Sequence, residues 1–224
     1  MPAERGVTES GARPHVAGLV LAAGAGRRYG MPKALVPYGG SLLIERAYRV
    51  VSEICDPVLV VLGASADEVI SRARLGRARV LINPDWDTGM ASSLRAGLAG
   101  LAALTPAPGG FGQSRQSGGL PANRQGEPVI GSIDAVLVHL VDLPGMTAAA
   151  IRRVARYASA DVLAVGTYDG VRGHPVLLGR THWAGVAESA TGDQGARAYL
   201  ASHDVIEVEC SDVADPADLD YPPA

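Results

Sequence analysis

A glycine-rich turn that directly follows an apolar run constrains this chain more than any other feature. The run from Val16 to Leu21 predicts a buried strand, and glycines at positions 24, 26 and 30 follow it. A turn of this composition leaves backbone N–H groups free to face an anion. Three cationic residues lie in or just after the turn, namely Arg27, Arg28 and Lys33. An open turn with this much positive charge predicts a binding site for a triphosphate.

Three kinds of phosphate-binding loop compete for this segment. A dinucleotide-binding fingerprint requires an acidic residue at the end of the next strand, but the predicted strand Val58–Leu62 is followed by Gly63-Ala64-Ser65. A P-loop requires Gly-Lys-Ser/Thr at the start of a helix, whereas Pro32 lies between Gly30 and Lys33 and disfavours a helix there. The third kind is the loop of nucleotidyltransferases, which pass a nucleoside monophosphate from a triphosphate to an acceptor. The spacing Ala-Ala-Gly-x-Gly-x-Arg-x-Gly-x-Pro-Lys favours this third kind.

Composition and charge argue against several other classes of protein. A hydrophobic content of 47% is ordinary for a globular protein, and a net charge of −3 gives no overall attraction to nucleic acid or to an anionic membrane. No apolar run approaches the roughly 18 residues that a membrane span needs. The first residues lack an apolar core and are not expected to form a secretory signal. Cys55 and Cys210 fit neither a metal site nor a disulfide framework. These features predict a cytoplasmic protein.

Strand-like and helix-like runs alternate along the chain, which indicates βαβ units and a mainly parallel sheet. The predicted strands are Val16–Leu21, Val58–Leu62, Ala78–Ile82, Ala135–Val141 and Val162–Val165, with Val205–Val208 at an edge. The predicted helices are Leu42–Ile54, Ala66–Ala73, Ser92–Leu104, Ala148–Tyr157 and Gln194–Ala201. Right-handed crossovers gather the ends of parallel strands on one rim, where ligands of open α/β sheets bind. We expect one α/β domain over residues 16–219.

Two segments fall outside this alternation. Residues 1–15 are polar, contain Gly and Pro, and predict a disordered tail. Residues 105–133 are rich in Gly, Pro, Ser and Gln, so burial cannot offset the entropy of ordering them. We interpret 105–133 as a low-complexity insertion into a crossover that is normally short. A lid or a partner-docking arm is the alternative.

An aspartate follows the fourth predicted strand. In Val141-Asp142-Leu143-Pro144 the proline ends the strand and leaves Asp142 on the rim of the sheet. A carboxylate there suits Mg²⁺, which binds one or two carboxylates together with phosphate oxygens. The alternative is that Asp142 caps the next helix, but Thr147 is the better-placed N-cap because the helical run begins at Ala148. Asp142 is therefore the candidate metal ligand.

A third motif combines Asn83 and Gly89 with Ser92 and Ser93. Gly89 permits a turn, and either serine can cap the following helix. The N-terminus of that helix would then face phosphates or the base with exposed N–H groups. A helix cap without any ligand is the simpler alternative.

A fourth motif consists of Gly173-His174-Pro175 and Gly192-Asp193-Gln194-Gly195. His174 is held between Gly and Pro, where it is well placed for a ligand, although a lone histidine is more often structural. Asp193 can instead be the N-cap of the helix that follows it.

On these motifs, over about residues 16–219 without 105–133, the chain resembles the molybdenum-cofactor nucleotidyltransferase family (MobA/MocA-like), its cytidylyltransferase members most of all. The resemblance implies a Rossmann-like three-layer sandwich of the nucleotide-diphospho-sugar transferase type, with Mg²⁺ held by Asp142. It implies acceptor contacts at His174 and Asp193. It implies nucleotide contacts at Leu21, Ala22, Ala23, Gly24, Gly26, Lys33, Asn83, Ser92 and Ser93.

The resemblance also bears on the substrates. Members that use GTP commonly have Gly-Gly where this chain has Ala23-Gly24, and the methyl group of Ala23 narrows the space above the loop, which favours CTP. The implied acceptor is the terminal phosphate of molybdopterin, and a molybdoenzyme or its chaperone is a further implied partner. Related sequences tend to have Asp-x-Asp-Thr-Pro before a last helix, whereas the corresponding run in this chain is Asp212-Val213-Ala214-Asp215-Pro216. This departure leaves the role of the C-terminal tail open.

The expected chemistry follows from charge. A terminal phosphate is already largely dianionic at pH 7, so as an acceptor it needs neutralisation and in-line placement rather than a general base. We expect loop amides and Arg28 to hold the β- and γ-phosphates, and Lys33 to bridge the α-phosphate and the acceptor phosphate. Asp142 would hold Mg²⁺ across the triphosphate. The predicted catalytic residues are thus Lys33, Arg28 and Asp142.

Other functions stay open at this point. The same fold can act on another phosphorylated acceptor, such as a phosphosugar or phospholactate. A non-catalytic maturation factor that binds nucleotide or cofactor would not require both Lys33 and Asp142. A Rossmann oxidoreductase is disfavoured because the acidic residue that would bind a ribose is missing.

Overall fold

Two sheets and six helices make up the computed structural model, which describes residues 13–105 and 132–220. The strands are β1 (Val16–Ala22), β2 (Pro37–Tyr38), β3 (Ser41–Leu42), β4 (Val58–Leu62), β5 (Arg79–Ile82), β6 (Ala135–Leu140), β7 (Leu163–Tyr168), β8 (Val171–Gly179) and β9 (Ile206–Glu209). The α-helices are α1 (Leu43–Ser52), α2 (Ala66–Arg72), α3 (Met90–Ala103), α4 (Ala148–Ala155), α5 (Trp183–Ser189) and α6 (Arg197–Ala201). Single 3₁₀ turns occur at Lys33–Leu35, Trp86–Thr88 and Arg180–His182.

The main sheet has seven strands in the order β5-β4-β1-β6-β8-β7-β9, while β2 and β3 form a small hairpin. Strands β5, β4, β1 and β6 are parallel to one another, and β9 is parallel to β7. Only β8 runs antiparallel to its neighbours β6 and β7. The predicted mainly parallel α/β sheet is therefore confirmed.

The position of the site follows from the strand order. β1 lies beside β6, with Val16 opposite Ala135 and Leu21 opposite Leu140. From β1 the chain continues outward to β4, whereas from β6 it builds the opposite half of the sheet. The order reverses between these two strands, and ligands of open α/β sheets bind at such a reversal, beyond the carboxyl ends of the strands. The glycine-rich turn after β1 and Asp142 after β6 both lie there.

Both faces of the sheet are buried, which explains why its central strands are continuously apolar. On β1, Val20 and Ala22 pack into the core that α1 and α4 cover, while Leu19 and Leu21 pack into the core on the side of α3 and α5. Burial of this apolar surface, at about 25 cal/mol per Å², is the main force that holds the layers together. The predicted three-layer sandwich is confirmed.

Some elements differ from the sequence prediction. The strands β2, β3 and β8 and the helix α5 are not among the predicted elements. α3 begins at Met90, two residues before the predicted start, and α6 spans Arg197–Ala201 instead of beginning at Gln194. The β8 segment contains Gly173 and Pro175, which disfavour a strand on their own, and its pairing with two neighbouring strands outweighs that preference.

The two segments predicted to be disordered lie largely outside the described residues, since 1–12 and 106–131 are not among them. The ends of the predicted insertion are part of the fold: Thr105 and Ile133 are buried, and the Arg180 guanidinium donates to Thr105 Oγ1 at 2.6 Å. The last residue of the predicted N-terminal tail is also part of the fold, since the His15 amide donates to Asp134 Oδ2 at 2.8 Å. Within 13–105 and 132–220, every helix is too short or too polar to cross a membrane.

Candidate active site

The glycine-rich turn owes its shape to two glycines with left-handed backbone angles. Gly26 has φ +60° and Gly30 has φ +90°, and the Gly30 amide donates to the Gly26 carbonyl at 2.8 Å. A Cβ on Gly26 would lie 1.9 Å from the Met31 carbonyl oxygen, so no other residue fits without moving the backbone. At Gly24, by contrast, a Cβ would meet no described atom within 4 Å. Gly26 thus shapes the loop, and Gly24 keeps its outer surface open.

Lys33 is presented to this loop by a short 3₁₀ turn. Pro32 precedes the turn, and the Leu35 amide donates to the Pro32 carbonyl at 2.9 Å. Ala34 and Leu35 are each 1% exposed, so their burial fixes the turn against the core. The anchored turn points the lysine toward the carboxyl ends of β1 and β6.

The Lys33 ammonium lies between two carboxylates. Nζ is 2.9 Å from Asp142 Oδ2 and 2.7 Å from Asp220 Oδ1, and the lysine side chain is only 14% exposed. Burial alone would lower the pKa of Lys33, but its hydrogen bonds to Asp220 and Asp142 outweigh that effect and raise the pKa. Lys33 is therefore a fixed positive charge at neutral pH. Arg28, whose side chain is 72% exposed, binds the other Asp220 oxygen at 3.0 Å.

Three carboxylates converge beside this lysine. One oxygen from each of Asp142, Asp218 and Asp220 lies within 4.8 Å of the others, an arrangement that can hold a metal ion. Oxygen ligands of this kind suit Mg²⁺. As predicted, Thr147 caps α4 by accepting the Ala150 amide at 3.3 Å, so Asp142 is not used as the cap. The sequence interpretation assigned no role to Asp218 or Asp220, although Asp218-Leu219-Asp220, with acids two residues apart, was a visible signal.

A cavity of 380 Å³ opens between the glycine-rich turn and the end of β6. Of the residues predicted to bind nucleotide or metal, seven line it: Leu21, Ala22, Ala23, Gly24, Lys33, Ser93 and Asp142. Arg27 lines it as well, whereas Gly26 and Arg28 do not. Its remaining walls include Trp86 and Met90. The structure thus gathers most of the predicted site residues around one space.

Asn83 and Ser92 lie behind this cavity and brace its wall. Asn83 is 3% exposed, and its Nδ2 donates to Ser92 Oγ at 2.9 Å and to Ser93 Oγ at 3.0 Å. Its Oδ1 accepts the Asp85 amide at 3.1 Å. These internal hydrogen bonds fix the turn between β5 and α3. Asn83 therefore positions the serines rather than lining the cavity itself.

The prediction that a serine caps α3 is wrong. The helix begins at Met90, and the Met90 amide donates to Asp193 Oδ1 at 3.1 Å. The next amide, of Ala91, donates to the Gly192 carbonyl at 2.8 Å. The start of α3 is thus closed by a segment about one hundred residues away in the chain. Asp193 therefore caps α3 and not the helix that follows it, and it lines the cavity, so acceptor binding by Asp193 stays a prediction.

His174 belongs to a second cavity of 270 Å³ that adjoins the first. The two cavities share Leu21, Met90, Leu140 and Asp193 in their walls. His174 Nδ1 lies 3.3 Å from the Val138 carbonyl oxygen, and burial lowers its pKa. The other walls are mainly apolar, with charged and polar groups from Arg172, Arg197 and Gln194. Of the predicted acceptor residues, His174 therefore lines only the second cavity, whereas Asp193 lines both.

His139, on β6, is buried without a hydrogen-bond partner for either ring nitrogen among the described residues. Its burial, together with the nearby His174, lowers its pKa from 6.5 to about 3. The folded protein therefore keeps His139 neutral while the unfolded chain takes up a proton below pH 6.5. For a pKa lowered on folding, stability falls as the pH drops from 6.5 toward 3.

We expect His139→Leu to remove this pH dependence. Relative to the wild type, the free energy of unfolding of the variant should rise by about 2 kcal/mol when the pH is lowered from about 7 to about 5. Urea denaturation of both proteins at the two pH values measures the difference. A difference that does not change with pH would mean that His139 is protonated, and so partnered, in the folded protein.

Several known proteins are similar to this chain in sequence. Residues 18–207 match the model of the MobA-like NTP transferase domain. Nicotine blue oxidoreductase of Paenarthrobacter nicotinovorans is 34% identical over 218 residues, which cover 92% of this chain and 93% of that protein. A Bacillus cytotoxicus protein named "probable molybdenum cofactor guanylyltransferase" is 43% identical over 56 residues, 25% of this chain and 28% of that protein.

Solved structures agree with the fold. Rv0371c of Mycobacterium tuberculosis H37Rv superposes with a TM-score of 0.72 at 25% identity, covering 94% of each chain. A manganese complex of the same mycobacterial protein has a TM-score of 0.64 at 24% identity, with 87% of this chain and 88% of that chain covered. The family match spans most of the chain, and the glycine-rich turn, Lys33 and Asp142 all lie within it. The chain therefore belongs to the family of MobA-like NTP transferases.

Proposed function

We propose that this protein transfers CMP from CTP to the terminal phosphate of the molybdenum cofactor and releases pyrophosphate. The observation that carries the proposal is the pairing of Lys33 with Asp142, 2.9 Å apart, in the wall of the cavity that the glycine-rich turn lines. One cavity is lined by the glycine-rich turn, as a triphosphate requires, and the other is a space for an acceptor. A cation placed between two phosphates and a carboxylate placed for a metal are what nucleotidyl transfer needs.

The charges of the reactants define the task of each side chain. The acceptor phosphate is dianionic at neutral pH and attacks the α-phosphorus, so the first requirement is to reduce repulsion between two anions. Lys33, whose pKa is raised by its carboxylate partners, stays charged and can lie between the two phosphates. Arg28 and Arg27 are the cations nearest the glycine-rich turn and would neutralise the pyrophosphate that leaves. Turn amides contribute further donors to the same phosphates.

The donor set fits a magnesium ion. Asp142, Asp218 and Asp220 offer only oxygen atoms within 4.8 Å, and oxygen is the ligand that Mg²⁺ takes. Bound there with the triphosphate, the ion would withdraw charge from the phosphate oxygens and orient them. The manganese bound by the mycobacterial neighbour is compatible with a divalent cation in this fold. Asp142 is the central ligand because the loop after β6 fixes it.

The shape of the second cavity supports an acceptor with a ring system. Its walls of Leu94, Val138 and Val176 can enclose a flat heterocycle, while His174 and Arg197 can meet polar or anionic edges. A sugar phosphate would need more hydrogen-bond donors than these walls provide. Molybdopterin, a heterocycle that carries a terminal phosphate, therefore suits this space better than a phosphosugar or phospholactate.

The choice of CTP rests on Ala23, which lines the triphosphate cavity. Its methyl group occupies space that a glycine would leave to a larger purine. GTP is the competing substrate, since a relative is named as a guanylyltransferase.

Pyrophosphate release tests the proposal. Molybdenum-loaded molybdopterin, Mg²⁺ or Mn²⁺ and each of the four ribonucleoside triphosphates are supplied in turn. We expect pyrophosphate release with CTP alone. Release with GTP alone would mean that the transferred nucleotide is GMP and not CMP. Binding of a triphosphate without release would indicate another phosphorylated acceptor, or a non-catalytic protein that carries nucleotide or cofactor to a molybdoenzyme.

A second candidate is an oxidoreductase, because a relative over most of the chain is named nicotine blue oxidoreductase. Against it, β4 is followed by Gly63-Ala64-Ser65, with no carboxylate to bind the ribose of a nicotinamide cofactor. Reduction of nicotine blue with NADH or NADPH, and fluorescence titration of either cofactor, distinguish the two candidates. The oxidoreductase would be favoured if Lys33→Met still reduced nicotine blue and the wild type released no pyrophosphate.

A further inference from the structure

The C-terminal segment, residues 210–220, runs along the loop that holds Asp142. The Thr147 hydroxyl donates to the Val213 carbonyl at 2.8 Å, and the Asp215 amide donates to the Gly145 carbonyl at 3.2 Å. Further on, the Leu219 amide donates to the Asp142 carbonyl at 2.9 Å. These contacts fix the course of the segment. They bring Asp220 to the glycine-rich turn.

Asp220 uses both carboxylate oxygens on cations of the site. Oδ1 accepts from Lys33 at 2.7 Å, and Oδ2 accepts from Arg28 at 3.0 Å. The hydrogen bond to Lys33 holds the pKa of Asp220 below its usual range, so the side chain is ionised at neutral pH. Two oxygens of one anion bridging two cations is also how a phosphate group binds such a pair.

We propose, on the basis of the function proposed above, that Asp220 occupies the place of a nucleotide phosphate and exchanges partners when a metal–nucleotide complex binds. The phosphates then take Lys33 and Arg28, and the Asp220 carboxylate turns to the divalent cation with Asp142 and Asp218. Asp220 is thus a positioning residue that makes nucleotide binding depend on the metal.

The reason is a balance of charge. A triphosphate without metal must displace Asp220 from both cations and draw Lys33 away from Asp142. Three carboxylates, with one oxygen of each within 4.8 Å of the others, are then left without that lysine between them. Like charges at that distance repel, and the repulsion grows where water is partly excluded. A triphosphate that arrives with its metal brings a cation for the carboxylates as well as anions for Lys33 and Arg28. Binding of the complex is therefore favoured over binding of the free nucleotide.

The test compares nucleotide affinity with and without metal. CTP and GTP are titrated calorimetrically into the wild type and Asp220→Asn, first with EDTA and then with Mg²⁺. We expect Asp220→Asn to bind metal-free nucleotide at least tenfold more tightly than the wild type. The factor by which Mg²⁺ increases nucleotide affinity should be at least tenfold smaller in the variant than in the wild type. A residue that only stabilised the fold would instead weaken binding in both conditions.

Two further variants sharpen the comparison. Asp218 belongs to the carboxylate cluster but, among the described residues, is not ion-paired with Lys33 or Arg28. Asp218→Asn should therefore reduce the increase in nucleotide affinity that Mg²⁺ gives, without tightening the binding of metal-free nucleotide. Asp212→Asn makes the same charge change in the same segment, where Asp212 pairs with Arg153, and should behave as the wild type. Thermal unfolding checks that all three variants fold.

Lysine labelling gives a second readout that does not depend on turnover. Lys33 is the only lysine in the sequence, so acetylation measured by peptide mass spectrometry reports on this side chain alone once the N-terminal peptide is resolved. Loss of the Asp220 contact removes one of the two carboxylates that hold the Lys33 ammonium and opens access to it. We expect Asp220→Asn to be acetylated several times faster than the wild type in the absence of nucleotide.

The outcomes separate this proposal from the function it rests on. Unchanged or weaker metal-free binding by Asp220→Asn, in a wild type that binds nucleotide, overturns the role of Asp220 and leaves the transferase standing. Failure of the wild type to bind any triphosphate, with or without metal, overturns the transferase and this proposal together.

Discussion

Lys33→Met is expected to lower kcat for nucleotidyl transfer by roughly 100- to 1,000-fold, a loss typical for one group that stabilises developing charge. The dissociation constant of Mg²⁺–CTP should rise by less than about tenfold, because the glycine-rich turn, the arginines and the metal still hold the triphosphate. The reason is that Lys33 lies between Asp142 and Asp220 in the wall of the triphosphate cavity, where we place it between the α-phosphate and the acceptor phosphate. Single-turnover kinetics and equilibrium titration separate the two quantities.

Arg28→Met is the matched comparison. Arg28 is more exposed and lies outside the lining of the triphosphate cavity, beside the turn. We expect it to affect the affinity for triphosphate more than the turnover of bound substrate. If Lys33→Met lowered affinity and kcat by the same factor, Lys33 would be a binding residue only, and its assigned place between the two phosphates would be wrong.

Gly26→Ala is expected to destabilise the protein by about 1–3 kcal/mol and to weaken triphosphate binding more than tenfold. The backbone at Gly26 has φ +60°, and an added Cβ would lie 1.9 Å from the Met31 carbonyl oxygen. Relief of that overlap must move the segment between Gly26 and Lys33. The displacement would disturb the turn amides and the lysine together.

Gly24→Ala controls for the added methyl group. A Cβ at this position meets no described atom within 4 Å, so the free energy of unfolding should change by less than about 1 kcal/mol. Chemical denaturation compares the two variants, and titration with Mg²⁺–CTP compares their sites. Equal stability of the two variants would show that the turn does not depend on the left-handed angle at Gly26.

Local patterns predicted the parallel core of the fold because each central strand is buried on both faces. Val58–Leu62 is an uninterrupted apolar run, and the structure places a strand over the same residues. β8 was missed for the opposite reason. Its glycines and Pro175 have low strand propensity, and only the pairing with β6 and β7 stabilises it. The seven-residue helix α5 likewise depends on packing of Trp183 and Val186 against the core.

The sequence alone determined which chemical groups stand at the ends of β1 and β6. Glycines set the turn, Pro32 and the buried Leu35 fix Lys33, and Pro144 ends the strand at Asp142. Each of these effects acts over a few residues, through backbone angles and local burial, so it can be inferred from neighbours in the chain.

Only the tertiary structure decided which groups those residues meet. Asp220 reaches Lys33 across 187 positions of sequence, and Asp193 caps α3 across 103. The local pattern of each aspartate does not show which residue it contacts. A hydrogen bond depends on distance in space, and the chain can close loops of many lengths at similar entropic cost. The sequence pattern pointed to Asp212–Pro216 in the C-terminal segment, whereas the aspartates that reach the site are Asp218 and Asp220. The packing of that segment against the Gly145 loop is what carries its last aspartates to the site.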